Sequence, residues 1–374
     1  MKLIYIANIR IPTEKAHGVQ IMKMCEAFSN QGVEVKLVVP KRDNKIKMNI
    51  WEYYNQKPNF EIEYLRITDF MKLEIPRISF FLQSRSFLKS VLSYLKKEEF
   101  DLIYCRDLLF IKHLGKLNNN LFCELHSLPK SFNKNDLSKA KGVITITQGL
   151  KNDLIKKGVS KDRIMVVPDG VDLNKFDINI SKKEAREKVK LPLDKKIVLY
   201  VGHLYKWKGA HILAEAAKMM NNDIKVVFVG GTDKDMLEFK KKYGSIENIE
   251  IKGHISYSSI PFWMKSADVL VLPNSAKKDI SEKWTSPMKM FEYMASKRPI
   301  VASDIPSIRE ILNKNNAVLV EPDNPKTLAE GINSILKKLN FSAKISMQAW
   351  KNISQYTWDK RAESILRFIK KQDL

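Results

Sequence analysis

Thr285-Ser286-Pro287-Met288-Lys289-Met290-Phe291-Glu292-Tyr293-Met294-Ala295, followed by Arg298-Pro299-Ile300-Val301-Ala302-Ser303, is the stretch whose reading decides the fold. Ser286 reads as an N-cap with Pro287 at the first helical position, which sets a firm helix start. The helix then meets a short apolar strand at Ile300 to Ala302, the alternation of a parallel sheet wrapped by crossover helices. Lys289 and Glu292, three apart, share one helical face. Glu292 is placed to accept hydrogen bonds from vicinal ribose hydroxyls while the backbone amides near Ser286 meet phosphate. A surface salt bridge between Lys289 and Glu292 is the alternative reading.

Outward from this unit the alternation repeats. Apolar runs stand at Leu3 to Ala7, Val33 to Val39, Leu102 to Tyr104, Leu121 to Cys123, Val143 to Thr147 and Ile164 to Val167. A second series runs through Ile197 to Val201, Ile224 to Val229, Val269 to Leu272, Ile300 to Ala302 and Val318 to Val320. Near-continuous apolarity suits strands buried on both faces. Between the first two runs, Ile21, Cys25 and Phe28 mark one helical face. The polar, charged segment Asn179 to Lys190 interrupts the series, so two doubly wound α/β domains are expected, residues 1–178 and 179–356. Residues 357–374 stand apart: Trp358 to Lys371 has helical period beyond the last strand and is expected to pack back across the domain junction. A chain of 374 residues is long enough for two cores. Ligands of open parallel sheets gather beyond the carboxyl ends of the strands, so a ligand is expected in the cleft between two facing sheets.

Hydrophobic residues at 44% supply two packed cores and exclude a disordered chain. Cys25, Cys105 and Cys123 are odd in number and form no CxxC pair, which excludes a disulfide framework or zinc site built from cysteines and points to a reducing cytoplasm. Met1-Lys2 runs straight into the first strand, so no secretory leader is expected, and no run reaches the ~18 apolar residues of a spanning helix. The chain is expected in the cytoplasm, at the inner face of the cell membrane if it attaches peripherally. Its net charge of +23 attracts polyanions but is spread as +10 up to residue 178 and +13 beyond, so no basic tail carries it. Nucleic acid is not an expected partner, because no reading motif accompanies the charge.

Two further loops carry candidate chemistry. Asn8 to Gly18 is long for a strand-to-helix connection, and Gly18 at a helix start allows close approach of a ligand to the positive end of the helix. After the strand Ile197 to Val201, Gly202-His203-Leu204-Tyr205-Lys206-Trp207-Lys208-Gly209 leads into another helix. Lys206, Lys208, His203 and the free amides there have the charge to neutralise a diphosphate.

Across nearly its whole length the chain resembles the retaining glycosyltransferases of family 4, whose GT-B fold sets two Rossmann-like domains facing across a cleft. The resemblance rests on Ser286 to Ala295 with Arg298 to Ser303, on Val167-Pro168-Asp169-Gly170-Val171-Asp172, on Gly202 to Gly209, and on Ala267-Asp268-Val269-Leu270-Val271-Leu272-Pro273. It implies retaining transfer of a sugar from a nucleotide-diphosphate donor, bound by the second domain, to a glycan or lipid-linked glycan acceptor on the first, in cell-envelope or surface polysaccharide biosynthesis. By resemblance, Glu292 takes the ribose-binding place of the second glutamate of E-x7-E and Lys208 stabilises the departing diphosphate. Gly202, His203, Lys206, Ser286, Pro287, Met288 and Lys289 surround the donor, Gly18 faces its diphosphate, and His126, in Glu124-Leu125-His126-Ser127, approaches the donor sugar. No cofactor besides the donor is implied. Two positions depart from the pattern: Trp284 stands where the first glutamate of E-x7-E belongs, with Glu282 two residues too early, and His203 stands where an arginine is common. Asp169-Gly170 replaces the usual Asn-Gly.

Asp233-Lys234-Asp235 is a DxD string, read as a solvated loop, and no metal requirement is expected. Phe80, Ser84, Phe87, Val91 and Leu95 follow helical spacing within Glu74 to Lys97, with Arg77, Arg85, Lys89, Lys96 and Lys97 nearby. Such a basic amphipathic helix fits an anionic membrane surface, or else simply packs on its sheet. Two other classes stand beside the transferase. A GT-B sugar-nucleotide epimerase would need no acceptor, and a non-catalytic protein binding a polyanion or sugar nucleotide would give no product.

Overall fold

Strands of unbroken apolar residues have two faces to bury, and this chain covers both with helices. In the computed structural model, which describes residues 1–68, 70 and 76–372, the chain divides into two compact units. The first holds Met1–Ile146, Leu150–Pro168 and the stretch from Trp358 onward; the second holds Thr147–Gly149 and Asp169–Thr357. The main crossing therefore falls at Pro168/Asp169, earlier than residue 178.

In the first unit, β1 (Lys2–Ile6), β2 (Glu34–Pro40), β3 (Glu61–Leu65), β4 (Leu102–Cys105), β5 (Leu121–Leu125), β6 (Gly142–Thr145) and β7 (Ile164–Val166) form one sheet in the order β3-β2-β1-β4-β5-β6-β7. The second unit orders β8 (Lys196–Val201), β9 (Ile224–Val229), β10 (Ile249–Gly253), β11 (Val269–Leu272), β12 (Ile300–Ser303) and β13 (Val318–Val320) as β10-β9-β8-β11-β12-β13. Neighbouring strands are parallel; Tyr5 of β1, for example, lies in register with Leu37 of β2 and Tyr104 of β4. Alternate residues of the second sheet enter different cores: Ile197, Leu199 and Val201 one, Val198 and Tyr200 the other. The direction of winding reverses between β1 and β4 and between β8 and β11, the positions where such sheets bind ligands.

Two strands, β3 and β10, were not among the expected ones. Both are sheet edges, and both mix charge with apolar residues, Glu61-Ile62-Glu63-Tyr64-Leu65 and Ile249-Glu250-Ile251-Lys252-Gly253. Charge on an edge discourages further pairing and weakens the apolar signal. The segment 179–190 is likewise no mere linker. Ser181 and Glu184 form a reciprocal capping box that starts the helix Lys182–Lys188. Arg186 of that helix is buried, with Nη2 2.6 Å from Asp268 Oδ2 and Nε donating to the Ser266 carbonyl at 3.0 Å. Asp268 also accepts from Lys182 Nζ at 2.6 Å and from the Ile197 amide at 2.7 Å, which ties the helix to the start of β8.

The helix Trp358–Lys371 belongs to the first unit. Trp358, Ala362, Ile365 and Ile369 are buried, Asp359 accepts from Asn30 Nδ2 at 3.1 Å, and Phe368 meets Phe122 of β5 edge-on. The expected amphipathic helix forms as Pro76–Leu95, with Glu74 outside the described residues. Ser84, Phe87, Val91 and Leu95 are buried as their spacing requires, but Phe80 is 50% exposed. The first turns bury Ser79 and Gln83 instead and leave Ile78, Phe80 and Phe81 outside. The reason is polar: Ser84 accepts from Asn8 Nδ2 at 2.9 Å, and Asn8 is itself gripped by Arg42 and Asp107.

Asp233 and Asp235 lie in the first turn of the helix Asp233–Tyr243, where Asp235 completes a capping box with Thr232, so this DxD string is a helix start rather than a loop.

Removing one member of a buried ion pair strands the other. Arg186→Met should lower the unfolding free energy by about 3–5 kcal/mol in urea titrations, and Lys182→Ala, at a half-exposed position, far less. Burial alone would raise the Asp268 carboxyl, but Lys182, the Ile197 amide and Arg186 bring it below its ordinary value. Its stabilisation is therefore complete above about pH 4 and is lost as the pH falls further. An Arg186→Met midpoint equal to the parent's would contradict the pairing.

Candidate functional site

In the second unit, β8 delivers the chain into Gly202, whose φ of +133° suits glycine. The loop after it is stiffened by rings: His203 stacks on Tyr205 with centroids 5.0 Å apart, and Tyr205 lies 6.3 Å from Trp207. The Trp207 carbonyl accepts from the Ser275 amide and from Ser281 Oγ, both at 3.0 Å, which joins this loop to the one leaving β11. A Cβ on Gly209 would overlap the Pro273 carbonyl, so the same two loops can meet only with glycine there.

Lys206 and Lys208 end up differently although both lie on the short 3₁₀ turn Lys206–Lys208. Lys206 points outward and is exposed. The Lys208 amine lies 5.2 Å from the Trp207 ring centre, and burial lowers its pKa to about 8. A group so poised gains its full charge when an anion arrives.

The helix Met288–Ala295 approaches the same end of the sheet. Its N-cap is Pro287, in extended conformation with no side-chain cap, and not Ser286 as expected. Ser286 Oγ instead accepts from the Asp169 amide at 3.0 Å, because the chain entering the unit runs beside it. Lys289 and Glu292 are both buried, which removes the surface salt bridge from consideration. Lys289 Nζ has no hydrogen-bond partner; it lies 3.8 Å over the Tyr200 ring, and a Cβ on Gly202 would stand 3.6 Å from it. Burial and the neighbouring Lys208 charge depress its basicity strongly, and Glu292 offsets this only in part. Glu292 Oε1 accepts from the Tyr257 hydroxyl at 2.9 Å, while Lys175 sits 3.9 Å over the Tyr257 ring. Burial raises the Glu292 carboxyl to about 7 against the pull of Tyr257, Lys175 and Lys289.

Gly202, Lys208, Lys289 and Glu292 thus come together, and the arrangement has a chemical meaning. A buried amine without a partner is costly and is rare in folded proteins unless a ligand supplies the missing acceptor. Such an amine beside an open helix start, with the Lys208 amine near it, forms an anion site, and the adjoining carboxylate adds an acceptor for hydroxyls. Sequence reading missed Tyr257 and Lys175, which lie far from the motif and bear on Glu292 only through the fold.

The first unit holds a separate cluster. His126 follows β5, is 26% exposed, and places Nε2 2.6 Å from Glu124 Oε1. His17, at the start of the helix Ala16–Asn30, lies near enough for Arg106 and His126 to reinforce the effect of burial, and its pKa falls to about 4. Gly18 therefore shares a neighbourhood with His126. Its missing Cβ is nevertheless explained by packing, since a methyl group there would strike the Tyr54 hydroxyl and stand 2.5 Å from Thr13 Cγ2.

Residues 17–175 match the family model described as Glycosyltransferase Family 4, and residues 181–352 that of glycosyl transferases group 1. An uncharacterized glycosyltransferase of Methanocaldococcus jannaschii is 25% identical over 315 residues, covering 76% of this chain and 78% of the relative. A glycosyltransferase named for teichuronic acid biosynthesis, TuaC of Bacillus subtilis, is 28% identical over 201 residues, 53% of this chain and 48% of its own length. Among solved structures, Anabaena HepE in complex with UDP and glucose aligns with a TM-score of 0.78 at 17% identity, over 99% of this chain and 100% of HepE. Sucrose-phosphate synthase of Thermosynechococcus elongatus gives 0.80 at 19% identity, over 99% and 98%. The architecture is thus the α/β two-domain GT-B fold.

An amine kept unpaired for a ligand costs stability without one. Lys289→Met should raise the unfolding free energy by about 1–3 kcal/mol and abolish stabilisation by nucleoside diphosphates in thermal melts. A variant less stable than the parent would show that the amine is satisfied internally.

Proposed function

The chain belongs to the family 4 glycosyltransferases, and on that premise we propose that it transfers a sugar, with retention and without a metal, from a nucleotide-diphosphate sugar to a glycan or lipid-linked glycan of the cell envelope. One observation carries the reading of the donor side: Lys289 is buried without a hydrogen-bond partner beside Lys208, at the end of the sheet where the Gly202 loop begins. A diphosphate supplies the missing charge. HepE, which has the same fold, is solved with UDP and with UDP-glucose, and this makes uridine the first base to test.

In the proposed reaction the bond from the anomeric carbon to the diphosphate oxygen breaks, and the acceptor oxygen bonds to the same carbon on the same face. The acceptor's proton passes to the departing phosphate oxygen, so no protein nucleophile is required. Lys208, Lys289 and the amides at the start of Met288–Ala295 stabilise charge on the leaving diphosphate. Glu292 accepts from the ribose hydroxyls. Trp284 stands where the first glutamate of E-x7-E belongs, so the sugar is held by other groups. For the acceptor side, Ile78, Phe80 and Phe81 are each about half exposed on Pro76–Leu95, with Arg85 5.7 Å over the Phe81 ring. Apolar residues beside a cation suit an anionic lipid surface, where a lipid-linked acceptor would be met.

A panel of UDP, GDP and ADP with their sugars should single out one base by thermal stabilisation, undiminished by EDTA. Lys208→Ala should reduce turnover by about 10²–10³ with folding intact. Anion binding raises the Lys208 pKa from about 8, so diphosphate binding at pH 8.5 should take up protons and weaken as the pH rises further. Calorimetry in buffers of different ionisation enthalpy reads that uptake directly. Stabilisation by no nucleotide, or full turnover in Lys208→Ala, would defeat the reading.

A further inference from the structure

β5 ends in Cys123-Glu124-Leu125 and passes directly to His126, so Glu124 and His126, two apart, project to the same side. Glu124 is wholly buried. A carboxylate there is tolerable only if its oxygens are met by donors, and each neighbour that meets it is one. Gln20 Nε2 stands 2.8 Å and His126 Nε2 2.6 Å from Oε1; Arg361 Nη1 stands 3.2 Å from Oε2, to which the Tyr104 hydroxyl also donates. The Gln20 amide has one orientation available, because Arg106 Nη1 donates to its oxygen at 2.5 Å. Arg361 is fixed in turn by the Pro168 carbonyl, which accepts from Nε at 2.9 Å.

These contacts come from four elements: the helix Ala16–Asn30, β4 and its exit, β5, and the helix Trp358–Lys371. Burial by itself would raise the Glu124 carboxyl, but Arg361, the His126 hydrogen bond and Arg106 keep it well below the usual carboxylate range. An anionic oxygen facing a ring nitrogen at hydrogen-bond distance requires a hydrogen on that nitrogen. Other charged or titratable groups around His126 include Arg106 from the exit of β4, Arg361 from the helix Trp358–Lys371 and His17, with Lys15 and Glu14 beyond it.

We propose that Glu124, paired with Arg361 of the C-terminal helix, is a positioning residue that fixes His126 as its Nε2–H tautomer and in one ring orientation, so that Nδ1 is the nitrogen that exchanges a proton. The proposal rests on the reading of His126 as the residue of the first unit that approaches the donor sugar. It adds that the presentation of this imidazole depends on a residue more than two hundred positions later in the chain. It also separates Glu124 from a purely structural buried acid, whose loss would cost stability and leave the histidine unchanged.

The test uses the full chain labelled with ¹⁵N-histidine, with the His126 signals assigned by their absence in His126→Gln. Neutral His126 should show hydrogen on Nε2. In Glu124→Gln its midpoint should fall by about one pH unit or more, with the tautomers mixed. Where turnover is measurable, the pH profile of kcat should move with that midpoint while the donor KM stays within about twofold. Hydrogen on Nδ1 in the parent protein overturns the proposal, and this arm needs no variant to fold. A folded Glu124→Gln with the parent's midpoint and tautomer overturns it equally. Absence of turnover with every nucleotide sugar, beside the expected spectra, defeats the transfer reading and leaves the tautomer assignment standing.

Discussion

The constraint from which the rest follows is that both sheets are buried on both faces, so a charge that enters the interior must be met by a partner or carry the cost of lacking one. At the winding reversal of each sheet, loops and helix starts crowd together, and there the chain accepts buried carboxylates, guanidiniums and amines. The two units resolve the problem in opposite ways. In the first, Glu124 is saturated by donors. In the second, Lys289 is left without an acceptor. A saturated cluster holds a shape, whereas an unsaturated one retains binding energy for something that arrives later.

Much of the fold was legible because the central strands are uninterrupted apolar runs, and a run such as Val269 to Leu272 needs no tertiary information to be recognised. The missed strands β3 and β10 are edges, where solvent on one side permits Glu61, Glu63, Glu250 and Lys252 and dilutes the pattern. The segment 179–190 was misread for a related reason: a short helix rich in charge resembles a linker until Arg186 is seen to bury itself against Asp268. At the Pro76 end of Pro76–Leu95, helical spacing put Phe80 inside, but the polar groups around Asn8 claimed that face for Ser79, Gln83 and Ser84.

The candidate site was legible where it is local. Gly202, Lys208, Lys289 and Glu292 lie in two short segments, and the fold gathers them at one end of a sheet. What lay beyond reach was assembled from distant segments: Tyr257 and Lys175 around Glu292, and Gln20, Arg106 and Arg361 around Glu124. Signals existed for two members of the Glu124 cluster. Glu124 interrupts the apolar run Leu121-Phe122-Cys123, and Arg361 sits on the apolar stripe of its helix beside Trp358, Ala362 and Ile365. A charge on a buried stripe announces that a partner exists without saying where.

The last helix gives the chain an order of assembly. The first unit is interrupted after Pro168 and resumed at Trp358, with the whole second unit between. During synthesis the second unit has all its strands outside the ribosome before the first has its final helix. Until then the carboxylate of Glu124 lacks its guanidinium, and the face of Ala16–Asn30 that the last helix covers lies open to water. The nascent first unit is therefore an incomplete fold that must wait, exposed to chaperones and proteases, for a segment encoded after the whole of the second unit.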